Sequence, residues 1–225
     1  MATTVTDTRT KASKGLGGRG FPGPNGNGSH QRNGGGDLLE STASRYRVGT
    51  WVGIASIAMF FTALSSAYIV RAASATDWRP LALPRILWLS TALILFSSAT
   101  LETARRNLKR LESGYVKWLL ITGLLGVGFL TSQFLAWQQL RAQGVFLASN
   151  PHSSFFYLLT ALHGLHLLVG LLALVYLLLR TRQKRDDVVA EAKRHARAGA
   201  VGIYWHFMDG LWIYLFLLLF LWRSQ

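Results

Sequence analysis

Five blocks of mostly apolar residues dominate this 225-residue chain, and most of its charged residues lie between them. The blocks cover about residues 48–70, 84–103, 115–138, 153–179 and 200–222. Each block is close to or longer than the ~20 residues that an α-helix needs to cross the hydrocarbon core of a membrane. Backbone N–H and C=O groups must pair with one another inside lipid, so we expect each block to be helical. The sequence therefore predicts an all-α integral membrane protein, a bundle of five transmembrane helices.

The segment before the first block has a different composition. Residues 1–47 are rich in glycine and basic residues and contain almost no cluster of apolar residues. Such a segment buries too little apolar surface to offset the loss of chain entropy on folding. We therefore expect a disordered, basic, glycine-rich tail at residues 1–47 and a transmembrane domain at residues 48–225. No short apolar core typical of a secretory signal precedes Val48, so we expect the tail to be retained.

The connections between the blocks differ in their content of lysine and arginine. Of the 24 Lys and Arg residues, 19 lie in the tail, in the second and fourth connections, or at Lys117 just inside the third block, and all of these fall on one side of a five-span bundle. The positive-inside rule places that side in the cytoplasm, so we expect a cytoplasmic N-terminus and a periplasmic C-terminus. Because the net charge of +14 is divided among these segments, membrane headgroups are favoured over nucleic acid as its partner.

Polar residues stand out in the fourth and fifth blocks. His163 and His166 are three residues apart, and so are His206 and Asp209. Residues at this spacing are neighbours on the surface of a helix. Polar groups that faced lipid would lose their hydrogen bonds, so both pairs should face other helices. Since the two blocks are antiparallel and the pairs can lie at the same depth, we predict that the four side chains form one buried polar network.

Three kinds of site are consistent with these four residues. Two facing histidines can hold a haem, and imidazole is a common metal ligand. A di-iron site would need several carboxylates, whereas Asp209 is the only carboxylate deep in any block. Intramembrane acids also mark proton paths, although a single acid has no successor in the sequence. The pattern favours a structural network of hydrogen bonds between helices, with no metal bound.

Two runs of sequence resemble subunit III of the haem-copper respiratory oxidases, in its short bacterial form with five spans. The first is SSFFYLLTALHGLHLLVG in the fourth block, and the second is YWHFMDGLWIYLF in the fifth. The resemblance is carried by Phe155, Phe156, Thr160, His163, Gly164, His166, Gly170, Tyr204, Trp205, His206, Phe207, Asp209 and Trp212. It extends over about residues 48–222. At three positions where the family commonly has acidic residues, this chain has Ile57, Ala136 and Gly199, which disfavours a direct role in proton uptake.

The resemblance implies a non-catalytic subunit of a terminal oxidase in the bacterial cytoplasmic membrane. Such an oxidase reduces oxygen to water and couples this reaction to proton movement. The haems and copper would lie in the catalytic subunit I, beside subunit II, and this chain would hold no cofactor of its own. It would stabilise the catalytic subunit and bind phospholipid. Trp205, Arg105 and Arg106 are the candidates for contact with a lipid headgroup.

Other functions remain open on the sequence alone. A related accessory protein is associated with nitric oxide reductases, which would keep the fold and change the partner. An independent membrane permease or a haem-carrying membrane protein belongs to a different class. The four polar residues and the five blocks are compatible with each of them.

Overall fold

The computed structural model describes residues 34–74, 84–110, 114–148, 150–181 and 188–221. Five long helices account for nearly all of these residues, and no strand occurs among them. The helices are α1 (Gly34–Ser74), α2 (Ile86–Lys109), α3 (Tyr115–Ala142), α4 (Pro151–Thr181) and α5 (Val188–Leu221). Each contains a stretch that is long and apolar enough to cross a membrane. The predicted all-α architecture with five membrane-spanning helices is therefore confirmed.

The start of α1 corrects one predicted boundary. The helix begins at Gly34, so residues 34–47, which were assigned to the disordered tail, are helical. Residues 37–47 read DLLESTASRYR and contain neither glycine nor proline, and Leu, Glu, Ala and Arg all favour helix. The rest of the predicted tail, residues 1–33, lies outside the described residues.

Helix α5 is the most buried of the five helices. Half of its most apolar stretch is buried inside the bundle, compared with 22–39% for the other four. It packs against α1, α2 and α4, while α3 packs against α2 and α4. The side chains of α5 therefore meet three neighbouring helices, and its sequence positions the site described below.

Aromatic and basic side chains show which helix ends lie together. Arg194 stacks over the ring of Tyr115, with its Cζ atom 5.1 Å from the ring centroid. Arg197 approaches the rings of both Tyr46 and Tyr176, at 5.7 and 5.8 Å. The starts of α1, α3 and α5 and the end of α4 therefore meet at one end of the bundle, which we call the basic end. The arginines at the basic end agree with the uneven distribution of Lys and Arg along the sequence.

The α3–α4 connection, at the opposite end of the bundle, is fixed by local hydrogen bonds. The Asn150 side chain accepts a bond from the Ser153 backbone N–H at 3.0 Å, and the Ser153 hydroxyl accepts one from the Asn150 N–H at 3.2 Å. This reciprocal cap, followed by Pro151 at the first helical position, starts α4. Tyr157 then donates to the Val145 carbonyl at 3.0 Å, which holds α4 against the end of α3.

Candidate functional site

His206 on α5 forms a hydrogen bond with α2. Its Nδ1 atom lies 2.6 Å from the hydroxyl oxygen of Ser98, and the imidazole is partly buried. Glu102 and Arg105, one and two turns further along α2, are close enough to interact electrostatically with the imidazole. His206 therefore faces α2. The α2 residues near it, Glu102 and Arg105, lie closer than Ser98 to the basic end.

Asp209 lies one turn deeper in the bundle than His206. The residue is 4% exposed, so its carboxyl group is shielded from lipid and water. Among the described residues, neither carboxyl oxygen has a hydrogen-bond partner at normal distance and angle. Asp209 and His206 are three residues apart, so they share one face of α5.

Arg105 and Arg106 pair with the same carboxylate near the end of α2. Arg105 donates to Glu102 at 3.0 Å, and Arg106 donates to it at 3.4 Å. Arg105 also crosses α5 at Gly202, where an added Cβ atom would come within 2.9 Å of its Cδ atom. The Arg106 side chain is 70% exposed, whereas that of Arg105 is 24% exposed. Of these two headgroup candidates, Arg106 is therefore the more accessible.

His163 on α4 is fully buried among aromatic rings. Its ring centroid lies 5.2 Å from that of Trp212 on α5 and 5.8 Å from that of Phe129 on α3. In the described part of the chain, neither ring nitrogen of His163 has a hydrogen-bond partner. Its contacts are therefore those of a packed aromatic side chain.

His166 is bonded within its own helix. Its Nδ1 atom lies 2.7 Å from the Leu162 carbonyl oxygen, and its ring contacts Phe61 on α1 at 5.6 Å between centroids. The backbone carbonyl of His166 accepts a hydrogen bond from the Tyr204 hydroxyl at 2.8 Å. The polar contact between α4 and α5 at this level thus uses the backbone of His166 and not its imidazole.

The single network predicted from the sequence is not what the hydrogen bonds show. His206 bonds to α2 through Ser98, and Asp209 is buried without a hydrogen bond among the described residues. His163 and His166 have separate surroundings on α4. The three-residue spacing places two side chains on the same helix face, but it does not determine which neighbouring helix that face meets. Among the described residues, no group of three or more His, Cys, Asp or Glu side chains is placed to hold a metal ion.

Trp205 occupies the centre of the bundle and not its surface. The side chain is fully buried, and its indole N–H donates to the Ser97 hydroxyl at 3.0 Å. Glycines on two other helices make room for the ring. An added Cβ atom would lie 3.1 Å from it at Gly126 and 3.4 Å from it at Gly170. The prediction that Trp205 contacts a lipid headgroup is therefore wrong for this bundle, because the ring is enclosed on all sides.

Two pairs of hydroxyl residues on α2 form hydrogen bonds with α3 and α5, and these bonds were not predicted from the sequence. Their bonds join Ser90 to Gln133 (2.9 Å), Thr91 to Trp212 (3.1 Å), Ser97 to Trp205 (3.0 Å) and Ser98 to His206 (2.6 Å). The signal was present in the sequence, because both the hydroxyl pairs on α2 and the tryptophans on α5 repeat after seven residues. Seven residues make nearly two helical turns and return to the same face.

A basic cavity opens between the starts of α1 and α5. Arg45, Tyr46, Lys193 and Arg197 line this space, which has a volume of about 420 Å³. Arg197 donates to the Tyr46 hydroxyl at 3.2 Å, so its guanidinium group is oriented along the wall of the cavity. The arrangement presents three cations and a phenol at the end of a membrane-spanning bundle. We call it the basic cavity.

Comparison with known proteins identifies the family. The family described as cytochrome c oxidase subunit III matches residues 35–224, which include all five helices apart from the first residue of α1. The chain is 35% identical over 175 residues to a probable cytochrome c oxidase subunit 3 of Nocardia farcinica, covering 75% of this chain and 84% of that protein.

Two further relatives carry the same description. A probable cytochrome c oxidase subunit 3 of Mycobacterium tuberculosis is 33% identical over 178 residues, covering 77% of this chain and 86% of the relative. The cytochrome c oxidase subunit 3 of Synechocystis sp. is 31% identical over 166 residues, covering 72% and 69%. The chain therefore belongs to the cytochrome c oxidase subunit III family, and it is a multi-pass membrane protein.

Proposed function

We propose that this chain is a non-catalytic accessory subunit of a bacterial terminal oxidase that reduces oxygen to water and moves protons. The observation that carries the proposal is the family match over residues 35–224, because it includes the whole five-helix bundle. The chain would flank the catalytic subunit I, which would hold the haems and copper, and subunit II. Its location would be the bacterial cytoplasmic membrane, with the basic end on the cytoplasmic side.

The interior of the bundle supports a stabilising role. Several polar side chains of α2 and α5 form hydrogen bonds between the two helices, as at Ser97 with Trp205 and Ser98 with His206. The outward faces are apolar, with Met59 and Phe60 on α1 and Leu124 on α3 all exposed. A rigid bundle with apolar faces can cover the lipid-facing surface of a larger membrane protein through close packing.

Gene deletion tests this accessory role. The oxidase would be purified from cells with and without the chain, and haem content and oxygen consumption would be measured before and after heating. We expect both preparations to contain the haems, and the one that lacks the chain to lose oxygen consumption at lower temperature. A full haem complement found in the isolated chain would overturn the proposal and favour a haem-carrying protein. Transport by the isolated chain in vesicles would favour a permease instead.

The same purified complex can be used to test whether oxygen or nitric oxide is the molecule that is reduced. The relatives are described as cytochrome c oxidase subunits, which favours oxygen over nitric oxide. Oxygen and nitric oxide reduction would be assayed side by side with reduced cytochrome c as donor. We expect oxygen reduction, and a complex that reduces nitric oxide alone would support the alternative of a nitric oxide reductase subunit.

Phospholipid binding is the second part of the proposed function, and the basic cavity is the place that supports it. Arg45, Lys193 and Arg197 can bind a phosphate through charge-assisted hydrogen bonds, and Tyr46 adds a phenol. The cavity lies at the end of the helices, where the headgroups of a bilayer would be. Trp205 has no surface there, and Arg106 is already paired with Glu102.

Native mass spectrometry of the complex tests this lipid site. The double variant Arg197→Gln and Lys193→Gln would be compared with Arg106→Gln, an exposed arginine outside the cavity. In vesicles that contain phosphatidylglycerol and phosphatidylcholine, we expect the double variant to lose bound phosphatidylglycerol and Arg106→Gln to keep it. Equal retention of phosphatidylglycerol by the two variants would show that the basic cavity is not the lipid site.

A further inference from the structure

The basic cavity has walls from two helices that carry charge of the same sign. Arg45 lines it from α1, and Lys193 and Arg197, which are one turn apart, line it from α5. The four lining residues include no acid. Like charges that face one space repel each other, so they oppose the packing of α1 on α5 at this end. An anion in the cavity would remove this repulsion.

The acidic residue nearest to Lys193 along α5 is engaged elsewhere. The Glu191 carboxylate lies 3.8 Å from the Arg194 guanidinium and 3.3 Å from the His195 ring. Arg194 in turn stacks on Tyr115 at the start of α3. This group of charges therefore lies toward α3, and among the described side chains of this turn it supplies no counter-charge to the cavity.

Arg197 is oriented to bind an anion. Its Nε atom donates to the Tyr46 hydroxyl at 3.2 Å, and its Cζ atom lies 5.7 Å from the Tyr46 ring centroid and 5.8 Å from that of Tyr176. Among the described residues this hydrogen bond uses Nε, so both terminal amino groups are left for a ligand. A guanidinium group can bind a phosphate through two parallel hydrogen bonds. The cavity volume of about 420 Å³ is within the ~300–1,000 Å³ of small-molecule sites.

The start of α1 is the segment that a ligand in this cavity would affect. Helix α1 has 41 residues, so at 1.5 Å per residue it is about 61 Å long, twice the ~30 Å of the hydrocarbon core. Its first turns therefore extend beyond the hydrocarbon, and residues 44–49 are all exposed. The contact of Tyr46 with Arg197 joins this end of α1 to α5 across the cavity.

We propose that a phosphate group bound in the basic cavity bridges α1 and α5 and holds the start of α1 on the bundle. Arg45 binds it from α1, and Lys193 and Arg197 bind it from α5. This bridge rests on the lipid site proposed above and gives that lipid a role in the packing of the chain. A phospholipid headgroup and free phosphate in solution are the two sources of such a group.

Hydrogen–deuterium exchange of the purified complex tests the bridge. The complex would be placed in vesicles of phosphatidylcholine alone, in vesicles that also contain phosphatidylglycerol, and in phosphatidylcholine vesicles with added inorganic phosphate. We expect phosphatidylglycerol to slow amide exchange at residues 44–50 by about tenfold, as a ligand present at about ten times its Kd would do. The start of α3, at residues 115–120, is the internal control and should not respond.

Two arginine variants on α1 separate the bridge from a general effect of membrane charge. Arg45→Gln removes the contribution of α1, so phosphatidylglycerol should no longer slow exchange at residues 44–50. Arg47→Gln is the matched control, because Arg47 is exposed on the same helix and is not a lining residue of the cavity. It should respond as the wild type does. Equal responses of the two variants would overturn the bridge.

Native mass spectrometry of the same samples distinguishes the bridge from lipid binding itself. Unchanged exchange at residues 44–50 in every vesicle would overturn the bridge, and the lipid site would still stand if phosphatidylglycerol remained bound. Slower exchange with inorganic phosphate but not with phosphatidylglycerol would support the bridge and overturn the lipid site. Slower exchange with phosphatidylglycerol alone would support both.

Discussion

The two polar pairs of this bundle share a spacing and differ in their surroundings. His206 on α5 bonds to Ser98 on α2, and Asp209 is buried one turn away on the same helix. Within the described part of the chain, His163 and His166 on α4 share no partner, since the first is packed against aromatic rings and the second is bonded to the Leu162 carbonyl. A polar residue in an apolar helix thus has at least two stable environments, a hydrogen bond to another helix or an aromatic enclosure. Only the first depends on a polar partner.

The difference follows from what the neighbouring helices present. Helix α2 presents hydroxyl groups at Ser97 and Ser98 toward α5, so the polar atoms of α5 find hydrogen bonds there. Around His163, the neighbouring side chains are Phe129 and Trp212, which present ring surfaces. We therefore expect substitutions at the α4 pair and at the α5 pair to have different consequences.

Loss of the Trp205 ring should have the largest effect, because this ring fills the interior space beside Ser97, Gly126 and Gly170. Trp205→Ala removes a fully buried side chain and its bond to Ser97, and we expect a loss of about 3–5 kcal/mol in the free energy of unfolding. Thermal unfolding of the purified chain in detergent would measure it. Trp51→Ala is the matched control, because Trp51 is 56% exposed. Similar losses in the two variants would show that Trp205 is not enclosed as described.

A side chain at Gly126 should disturb the same ring from the opposite direction. A Cβ atom there would lie 3.1 Å from the Trp205 ring, so Gly126→Val should destabilise the bundle by about 1–3 kcal/mol through overpacking. Gly123→Val on the same helix is the control, since nothing lies within 4 Å of a Cβ atom at that position. The measurement is again the unfolding temperature. If Gly123→Val proves the more damaging variant, α3 must face α5 differently.

Replacing each buried histidine by leucine compares the two pairs directly. His206→Leu removes the hydrogen bond to Ser98 and should cost about 0.6–2 kcal/mol. His163→Leu replaces a ring without hydrogen bonds among the described residues, so its cost should stay within about 0.5 kcal/mol. Unfolding of both variants under identical conditions would give the difference. A larger cost for His163→Leu would mean that its imidazole is bonded and that the two environments are alike.

Removal of residues 1–33 should have the smallest effect. The family match begins at residue 35 and α1 begins at Gly34, so the truncated chain keeps the whole bundle. We expect its amount in the membrane and its unfolding temperature to equal those of the full chain. Immunoblotting of membrane fractions checks the first quantity. A truncated chain that fails to reach the membrane would show that insertion depends on this segment.

The sequence was sufficient for the helices because their signal is local. A block of about 20 apolar residues can satisfy its backbone inside a membrane only as a helix, whatever its neighbours are. The start of α1 was predicted too late, because the glycine-rich composition of residues 1–33 concealed the helix-favouring run at residues 37–47. Average composition over a long segment does not locate a boundary within it.

The partners of the polar residues could not be predicted in the same way. Spacing determines which residues share a helix face, whereas the rotation of each helix depends on packing against all the others. Trp205 was assigned to the membrane interface because tryptophan is common there. Gly126 and Gly170, far from Trp205 in the sequence, create the interior space that it fills. The heptad spacing of Ser90 with Ser97 and of Trp205 with Trp212 was the available signal for the α2–α5 contact.

Cryo-electron microscopy of the complex purified through this chain would show both its partner and its polar contacts. We expect the chain to lie against a subunit that contains haem and copper, with His206 bonded to Ser98 and His163 enclosed by Phe129 and Trp212. Density for a metal ion or haem held by His163, His166 or His206 would contradict it, and so would a chain isolated without any haem-containing partner.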